Sequence, residues 1–447
     1  MNAASTTSLS SPRQILTLAW PIFIGQLAVM INGMIDTAMA GHISAADLAA
    51  VGIGTSIYIS VYIGLMGTLQ ALGPIAARHF GAQNHAEIAH DVRQSYWVAI
   101  LLTILGSSVL AVPDLWLSLI QPTPLVAEKV RAYLYAVSFG LPAALLFRVF
   151  YALNTAVARP RVVMSINLCS LAIKPILNWW LMYHLNLGGP GSAIATALIS
   201  WLSVGLFLWF ARHDSMYRNL GLWRWEAPQR ARIVALLRLG IPIGLSYCIE
   251  VTSFTFMALF IGRFGAEQSG GHQIIANLCG ICYMLPLALA NASSVLVAQA
   301  LGAEQPQQAR QVVRTALRLG GTASLLVALS LWFGKSYLVQ IYTSVSAVQD
   351  VALSLFGLLV CYHLCDATQC ILGFLLRAYR STTLPMLIYG VCCWGIGLGG
   401  GYALAFHSQR WAGLQGFWVA GAFSLLLTTL CLGYLLRRLI RNTNTNH

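Results

Sequence analysis

Apolar runs of about 20 residues recur along the chain from residue 15 to residue 437, separated by short polar, proline- or glycine-containing breaks. A run of that length, wound as a helix, crosses the hydrocarbon core of a bilayer. The pattern predicts twelve such helices, at 15–39, 51–77, 93–113, 130–153, 161–184, 191–211, 233–262, 272–301, 312–334, 348–375, 384–406 and 414–437. The opening segment "MNAASTTSLSSPRQILTLAW" has no basic leader and no small-residue cleavage site before the first apolar run, so it reads as a polar tail entering a membrane helix.

The runs repeat. A shift of 221 residues sets Pro21 on Pro242, Gly41 on Gly262, Tyr62 on Tyr283, Gly81 on Gly302 and Arg93 on Arg314, with no gap over the first two spans. Proline, glycine, tyrosine and arginine matching together in one register mark an internal repeat. Six spans per half is an even number, so both halves enter the membrane from one side as parallel repeats. The predicted fold class is an all-α polytopic membrane protein, with twelve transmembrane helices in two pseudo-symmetric six-helix bundles around a central cavity. The predicted organisation is an N-terminal lobe, 1–211, a basic cytoplasmic linker, 212–232, and a C-terminal lobe, 233–447.

Composition agrees. Only 9% of residues are charged and 58% are hydrophobic, with a mean hydropathy of +0.71, where a soluble domain has roughly 25% charged residues. The net charge of +13 would suit nucleic acid, but its placement argues for membrane topology instead. With the N-terminus inside, nineteen Lys and Arg residues fall on the inner side and five on the outer, leaving Arg148 and Lys174 within spans. The positive-inside rule then makes both termini cytoplasmic and accounts for the charge by contact with anionic lipid, so no nucleic-acid partner is expected. In the linker, Trp223 and Trp225 are expected at headgroup level. The ten cysteines are scattered, mostly in apolar runs, and predict no disulfide framework.

The candidate chemistry lies in the few charges inside spans, each costing about 2.5–3.5 kcal/mol on insertion scales. Glu250 sits mid-span in "SYCIEVTSFTF" and Asp366 in "YHLCDATQ", both in the second half. Two such acids, with oxygens from Gln273 and Tyr283, could hold a hard monovalent cation or trade a proton. The bland alternative is that each acid caps a polar contact between helices. Asp36, in "INGMIDTAMAG", is the first-half acid, but the 221 shift sets it on Met257 and Glu250 on Val29, so the lobes share a scaffold while differing in charge. Its role is either structural or contact with cationic substrate or a coupling proton. Lys174 precedes Pro175 and is placed to pair with Asp36. His363, one turn before Asp366, is a candidate proton relay. Tyr58, Tyr62, Met66, Phe256, Tyr283 and Met284 are either packing or a deformable wall for flat cations.

Several motifs mislead. "GIGLGG" at 395–400 fits a dinucleotide fingerprint but lies in a membrane span. "FGKS" at 333–336 lacks the earlier P-loop glycine, since position 329 is Leu329. "CGIC" and "CYHLC" lie in apolar helices, where packing outweighs metal binding. No Asp-rich, HExxH or GxSxG motif supports an intramembrane transferase, and no enzyme or resident cofactor is expected.

With these residues in place, the chain resembles the MATE (multidrug and toxic compound extrusion) transporters. The likeness rests on "LAWPIFIGQLAVMINGMIDTAMAGHISAADLAAVG" and "GGHQIIANLCGICYMLPLALANASSVLVAQALGA", covers nearly the whole chain and is greatest to the bacterial NorM-type subfamily. The resemblance implies monomeric, cation-coupled export of drugs and dyes across the inner membrane, by two bundles that alternate in opening. It implies that Glu250 and Asp366 bind the cation with Gln273 and Tyr283 near it, and that Asp36 is the first-lobe acid. It tilts the coupling ion, Na⁺ or H⁺, towards Na⁺. Where the family has "AAHQ" this chain has "GGHQ", a change expected only to loosen packing, and Lys174 is less expected. A flippase for a lipid-linked precursor is the rival within the two-lobe class, but it would want a basic cavity for pyrophosphate, and the charges within spans are mainly acidic.

Overall fold

Residues 11–409 and 411–445 are described by a computed structural model, and among them the secondary structure is helical, with no strand. The tail Met1–Ser10, expected on the inner side, and Arg410, one of the five basic residues expected on the outer side, lie outside the described residues, as do Asn446 and His447. The first half comprises α1 (Pro12–Gly41), α2 (Ala45–Leu69), α3 (Leu72–Gly81), α4 (His85–Leu110), α5 (Pro113–Ile120), α6 (Pro124–Ala156), α7 (Pro160–Asn178) and α8 (Gly189–His213). After α9 (Ser215–Leu220) come α10 (Arg230–Ile261), α11 (Ala266–Gly302), α12 (Pro306–Tyr342), α13 (Ser346–Ala378), α14 (Thr383–Tyr389), α15 (Gly401–His407) and α16 (Leu414–Thr445). All twelve expected spans fall on helical segments, and eleven of these are both long and apolar enough to cross a membrane. The exception is α4, whose first turns carry Glu87, Asp91 and Arg93 and shorten its apolar part.

Local chemistry sets the helix starts. The Ser44 hydroxyl accepts from the Asp47 backbone N–H at 3.0 Å, and Asn84 caps α4 through the Glu87 N–H. Such caps satisfy donors that have no partner inside the helix. Pro124, Pro160 and Pro306 open α6, α7 and α12, where the missing N–H is not needed.

The repeat reappears in the backbone. Gln83 and Glu304, 221 residues apart, both adopt the left-handed region (φ 58° and 57°), and Ala158 and Arg380 do the same at φ 58° and 57°. Each follows the C-terminus of a helix and ends it. Helix pairing repeats too. In the first half α2 runs parallel to α6, with the Thr55 and Tyr133 hydroxyls 2.8 Å apart. In the second half α11 runs parallel to α13, with the Ser294 hydroxyl donating to the Phe374 carbonyl at 2.8 Å. The "GIGLGG" segment lies within a π-helical stretch, Gly390–Gly400, between α14 and α15.

Gly271 corrects one expectation. A Cβ built there would lie 2.8 Å from Val351 Cβ and 3.2 Å from the Ala352 backbone nitrogen, so the glycine allows α13 to approach α11 closely. "GGHQ" therefore tightens this contact instead of loosening it. Val351 is β-branched and stiff, so overpacking at this site is expected to cost about 1–3 kcal/mol. Gly271→Ala should lower the unfolding midpoint of the detergent-solubilised protein. Gly280→Ala on the same helix, where nothing lies within 4 Å of the added methyl, should leave it unchanged or raise it slightly.

The chain divides into two compact units, one made of the described residues of Met1–Ala19 and Leu245–His447, the other of Trp20–Gly244. The divisions fall inside α1 and α10, beside Pro21 and Pro242, and not at the basic linker. That linker belongs wholly to the second unit and is fastened to α4. Arg93 donates to the carbonyls of Leu220 and Gly221 at 3.1 and 2.9 Å, and Trp97 Nε1 to the carbonyl of Glu226 at 2.9 Å. His90 and Arg93 face the Glu226 carboxylate at 2.8 and 3.4 Å. Arg232 donates to Glu87 at 2.8 Å and Asp91 at 3.1 Å, and its bonds hold the Glu87 carboxyl below the ordinary carboxylate range. Trp225, expected in the headgroups, rests edge-on against Trp97 with ring centroids 4.8 Å apart, while Trp223 lies under Arg212 at 5.2 Å.

Candidate functional site

Glu250 on α10 and Asp366 on α13 share one side chain, Gln369. Its Nε2 donates to Glu250 Oε1 at 3.0 Å and to Asp366 Oδ1 at 3.0 Å. Its Oε1 accepts from the Tyr389 hydroxyl of α14. An amide has two N–H donors and one carbonyl, so both ends of Gln369 are used. Gln369 is fully buried and Asp366 nearly so, while Glu250 is half-buried. The spacing from Asp366 to Gln369 is one helical turn, which puts both on one face of α13.

Two carboxylate oxygens at 3.0 Å from one nitrogen are close. Two unit charges about 5 Å apart repel by roughly 3 kcal/mol at an effective dielectric near 20. One amide dipole does not neutralise two anions. The arrangement therefore favours a proton or a small cation taken up between them. Arg377, in the last turn of α13, is the nearby cation whose field reaches Glu250. Counted above among the inner-face arginines, it is folded back into the protein, donating to the Tyr247 hydroxyl at 2.8 Å and stacking on the Phe374 ring at 4.1 Å.

The other expected members of this site divide. Tyr283 on α11 lies within electrostatic reach of both acids. Gln273 does not join them. Its side chain is exposed and, among the described residues, has no hydrogen bond, and ten residues along α11 set it about 15 Å from Tyr283. His363 is 1% exposed, and neither ring nitrogen has a hydrogen-bond partner, so the relay contact with Asp366 is not formed. Gln369 and Tyr389 were missed from sequence. The glutamine had a signal, an amide one turn after an acid in an apolar run, and the tyrosine had none. Of the CxxC pair, Cys279 packs in the apolar core with Leu278 and Leu359.

In the unit of Trp20–Gly244, the expected pair of Lys174 and Asp36 is formed. Lys174 Nζ donates to Asp36 Oδ2 at 2.8 Å and to Thr196 Oγ1 at 2.8 Å. Asn178, one turn beyond Lys174 on α7, donates to Asp36 Oδ1 at 2.8 Å. Lys174 is 4% exposed and Asp36 7%. Each oxygen of Asp36 accepts a hydrogen bond, so a second cation there would compete with Lys174 for the carboxylate. Pro175 removes one backbone bond from the end of α7, which then widens into a π-helical turn, Trp179–His184.

The MatE family model matches residues 21–180 and 242–403, two segments whose starts are separated by the 221-residue repeat. The chain is 40% identical to a probable multidrug resistance protein NorM of Aromatoleum aromaticum, over 99% of this chain and 98% of that one. It is 34% identical to the multidrug resistance protein PmpM of Pseudomonas aeruginosa, over 91% and 87%. Its fold matches that of the eukaryotic MATE transporter AtDTX14 with a TM-score of 0.86 at 20% identity, over 97% and 98% of the two chains. A crystal structure of MATE in the straight conformation matches with a TM-score of 0.88 at 16% identity, over the whole of both chains. The chain is a multi-pass membrane protein that belongs to the MATE family of transporters, and is not an enzyme.

Proposed function

We propose that the chain is a cation-coupled multidrug antiporter, exchanging Na⁺ or H⁺ for amphipathic, mostly cationic drugs and dyes by alternating access. The observation that carries this reading is the sharing of Gln369 by Glu250 and Asp366. The names of the NorM and PmpM relatives support multidrug cargo. A cation or proton arriving from outside neutralises one acid and relieves the repulsion. Gln369 then turns to the remaining carboxylate, and the balance between α10 and α13 shifts. Drug affinity falls in the outward state, and cargo leaves. The coupling is a difference in cation affinity between two states, which obliges a matching difference in drug affinity. Asp36 takes part only as far as its bond to Lys174 opens. The protein works as a monomer in the bacterial inner membrane with both termini in the cytoplasm.

Dye efflux from proteoliposomes carrying separately imposed Na⁺ and pH gradients tests this. One of the two gradients, inward for the ion, should accelerate dye exit, and dissipating it with an ionophore should return the rate to that of empty vesicles. Efflux equally fast with no ion gradient of either kind would refute the antiport.

A further inference from the structure

Trp394 stands in the wrong place for a membrane-anchoring tryptophan. It lies eleven residues after Thr383 and thirteen before His407, in the middle of the span that α14, the π-helical stretch Gly390–Gly400 and α15 form together. Tryptophans that anchor a span gather at the two headgroup levels, where the indole N–H finds polar partners. Trp394 turns its N–H to α10 instead. Its Nε1 donates to the Ile249 carbonyl at 3.3 Å and to the Thr252 hydroxyl at 3.2 Å. That hydroxyl is itself fixed, because it donates to the Cys248 carbonyl one turn back. The Trp394 side chain is 46% exposed and meets Phe256 edge-on at 5.9 Å, so burial alone does not hold it.

The neighbouring residue adds a second tether. The Ser253 hydroxyl of α10 donates to the Cys393 carbonyl at 3.0 Å. Ile249, Thr252 and Ser253 bracket Glu250, so the two tethers grip the turn of α10 from which that acid projects. Tyr389, which holds Gln369, lies five residues before Trp394. An α-helix sets residues five apart on different faces, whereas the wider π-helical turn, bonded i→i+5, brings them back towards one. One short stretch therefore holds both the amide that bridges the acids and the backbone beside Glu250. The bond from Gln369 to Glu250 is 3.0 Å long, and a slip of α10 by about 1 Å would break it.

We infer that Trp394 is a positioning residue for ion coupling, whose indole N–H holds α10 where Glu250 can share Gln369 with Asp366. This rests on the antiport reading above and adds a residue that acts through the α10 backbone. The test uses full-length protein in proteoliposomes, with dye efflux recorded as the external concentration of Na⁺ or H⁺ is varied. Trp394→Phe keeps an aromatic ring beside Phe256 and loses the N–H. It should raise the half-saturating concentration of the driving ion about fivefold, the scale of one hydrogen bond, and leave the maximal rate within about twofold of wild type. Ser253→Ala, which cuts the second tether, should shift the half-saturating concentration in the same direction. Trp332→Phe, at a tryptophan of similar exposure that packs under Lys335, should leave it unchanged. A tryptophan needed only for packing would lower the amount of folded protein, and so the maximal rate, without moving the ion dependence. That result, or an ion dependence equal to wild type in Trp394→Phe, would overturn the inference. Where Trp394→Phe fails to fold, Ser253→Ala decides, because it leaves the indole in place. Wild-type vesicles in which neither ion drives dye would sink the antiport reading and this inference with it, whereas normal wild-type coupling with unshifted variants sinks this inference alone.

Discussion

Asp366→Asn should abolish ion-driven export, by about a hundredfold or more, and Glu250→Gln should do the same, while both proteins insert and fold. Each change leaves a polar side chain of the same shape, so Gln369 keeps an oxygen to bond on both sides. What disappears is one of two negative charges competing for a single amide. That removes roughly 3 kcal/mol of repulsion at about 5 Å and an effective dielectric near 20. The unfolding midpoint should therefore hold or rise even as export is lost. Opposite signs for stability and activity separate a coupling role from a structural one, since acids that merely capped a helix contact would lose stability when neutralised. Export driven at the wild-type rate by either variant would remove the pair from the mechanism.

The second large effect is expected at Lys174 and Asp36. Removing one partner of a buried ion pair leaves the other charge without compensation and costs about 3–5 kcal/mol, whereas replacing both by groups of similar size is often nearly neutral. Lys174→Met leaves the buried Asp36 carboxylate without its cation, and Asp36→Asn leaves the buried Lys174 ammonium with neutral oxygens alone. Each single variant should be strongly destabilised, and the double variant should recover most of the loss. The coupling in a double-mutant cycle of unfolding free energies should then be several kcal/mol, far above the 0.3–0.5 kcal/mol or so within which independent sites add. Strict additivity would mean that the ion pair contributes nothing to the folded state. The same cycle read on export says whether Asp36 is held in reserve by Lys174 or is structural alone.

The sequence made some of this legible, for physical reasons that differ by residue. Spans follow from hydrophobicity alone, because the bilayer demands about 20 apolar residues whatever the tertiary packing. The 221-residue repeat was readable because Pro, Gly, Tyr and Arg recur in one register, as at Pro21 and Pro242, and the left-handed turns at Gln83 and Glu304 carry the same spacing in the backbone. The bond between Lys174 and Asp36 was inferable because the one acid placed within the spans of its lobe has few possible partners there. Harder to read was anything fixed by contact between helices distant in sequence. Nothing in the sequence around Tyr389 says that its hydroxyl meets Gln369 across two helices. Gln273 was misplaced because two positions on one helix say nothing about depth until the acid's height is known. Arg377 looked like an inner-face arginine because charge counting sees position along the chain and not the direction of a side chain. Gly271 looked like slack because the proximity of Val351 is a property of α13.

The central claim is that Glu250 and Asp366 tie ion movement to drug movement, and it is tested most directly by running the exchange backwards. Protein is reconstituted with no Na⁺ or pH gradient, a dye gradient is imposed, and Na⁺ and H⁺ fluxes are recorded. Coupling is reciprocal, so a dye gradient should drive one of the two ions against the direction of dye flow in the wild type. Asp366→Asn and Glu250→Gln should reduce that ion flux to the level of empty vesicles. An ion flux of wild-type size in either variant, or dye movement in the wild type that carries neither ion, would contradict the account.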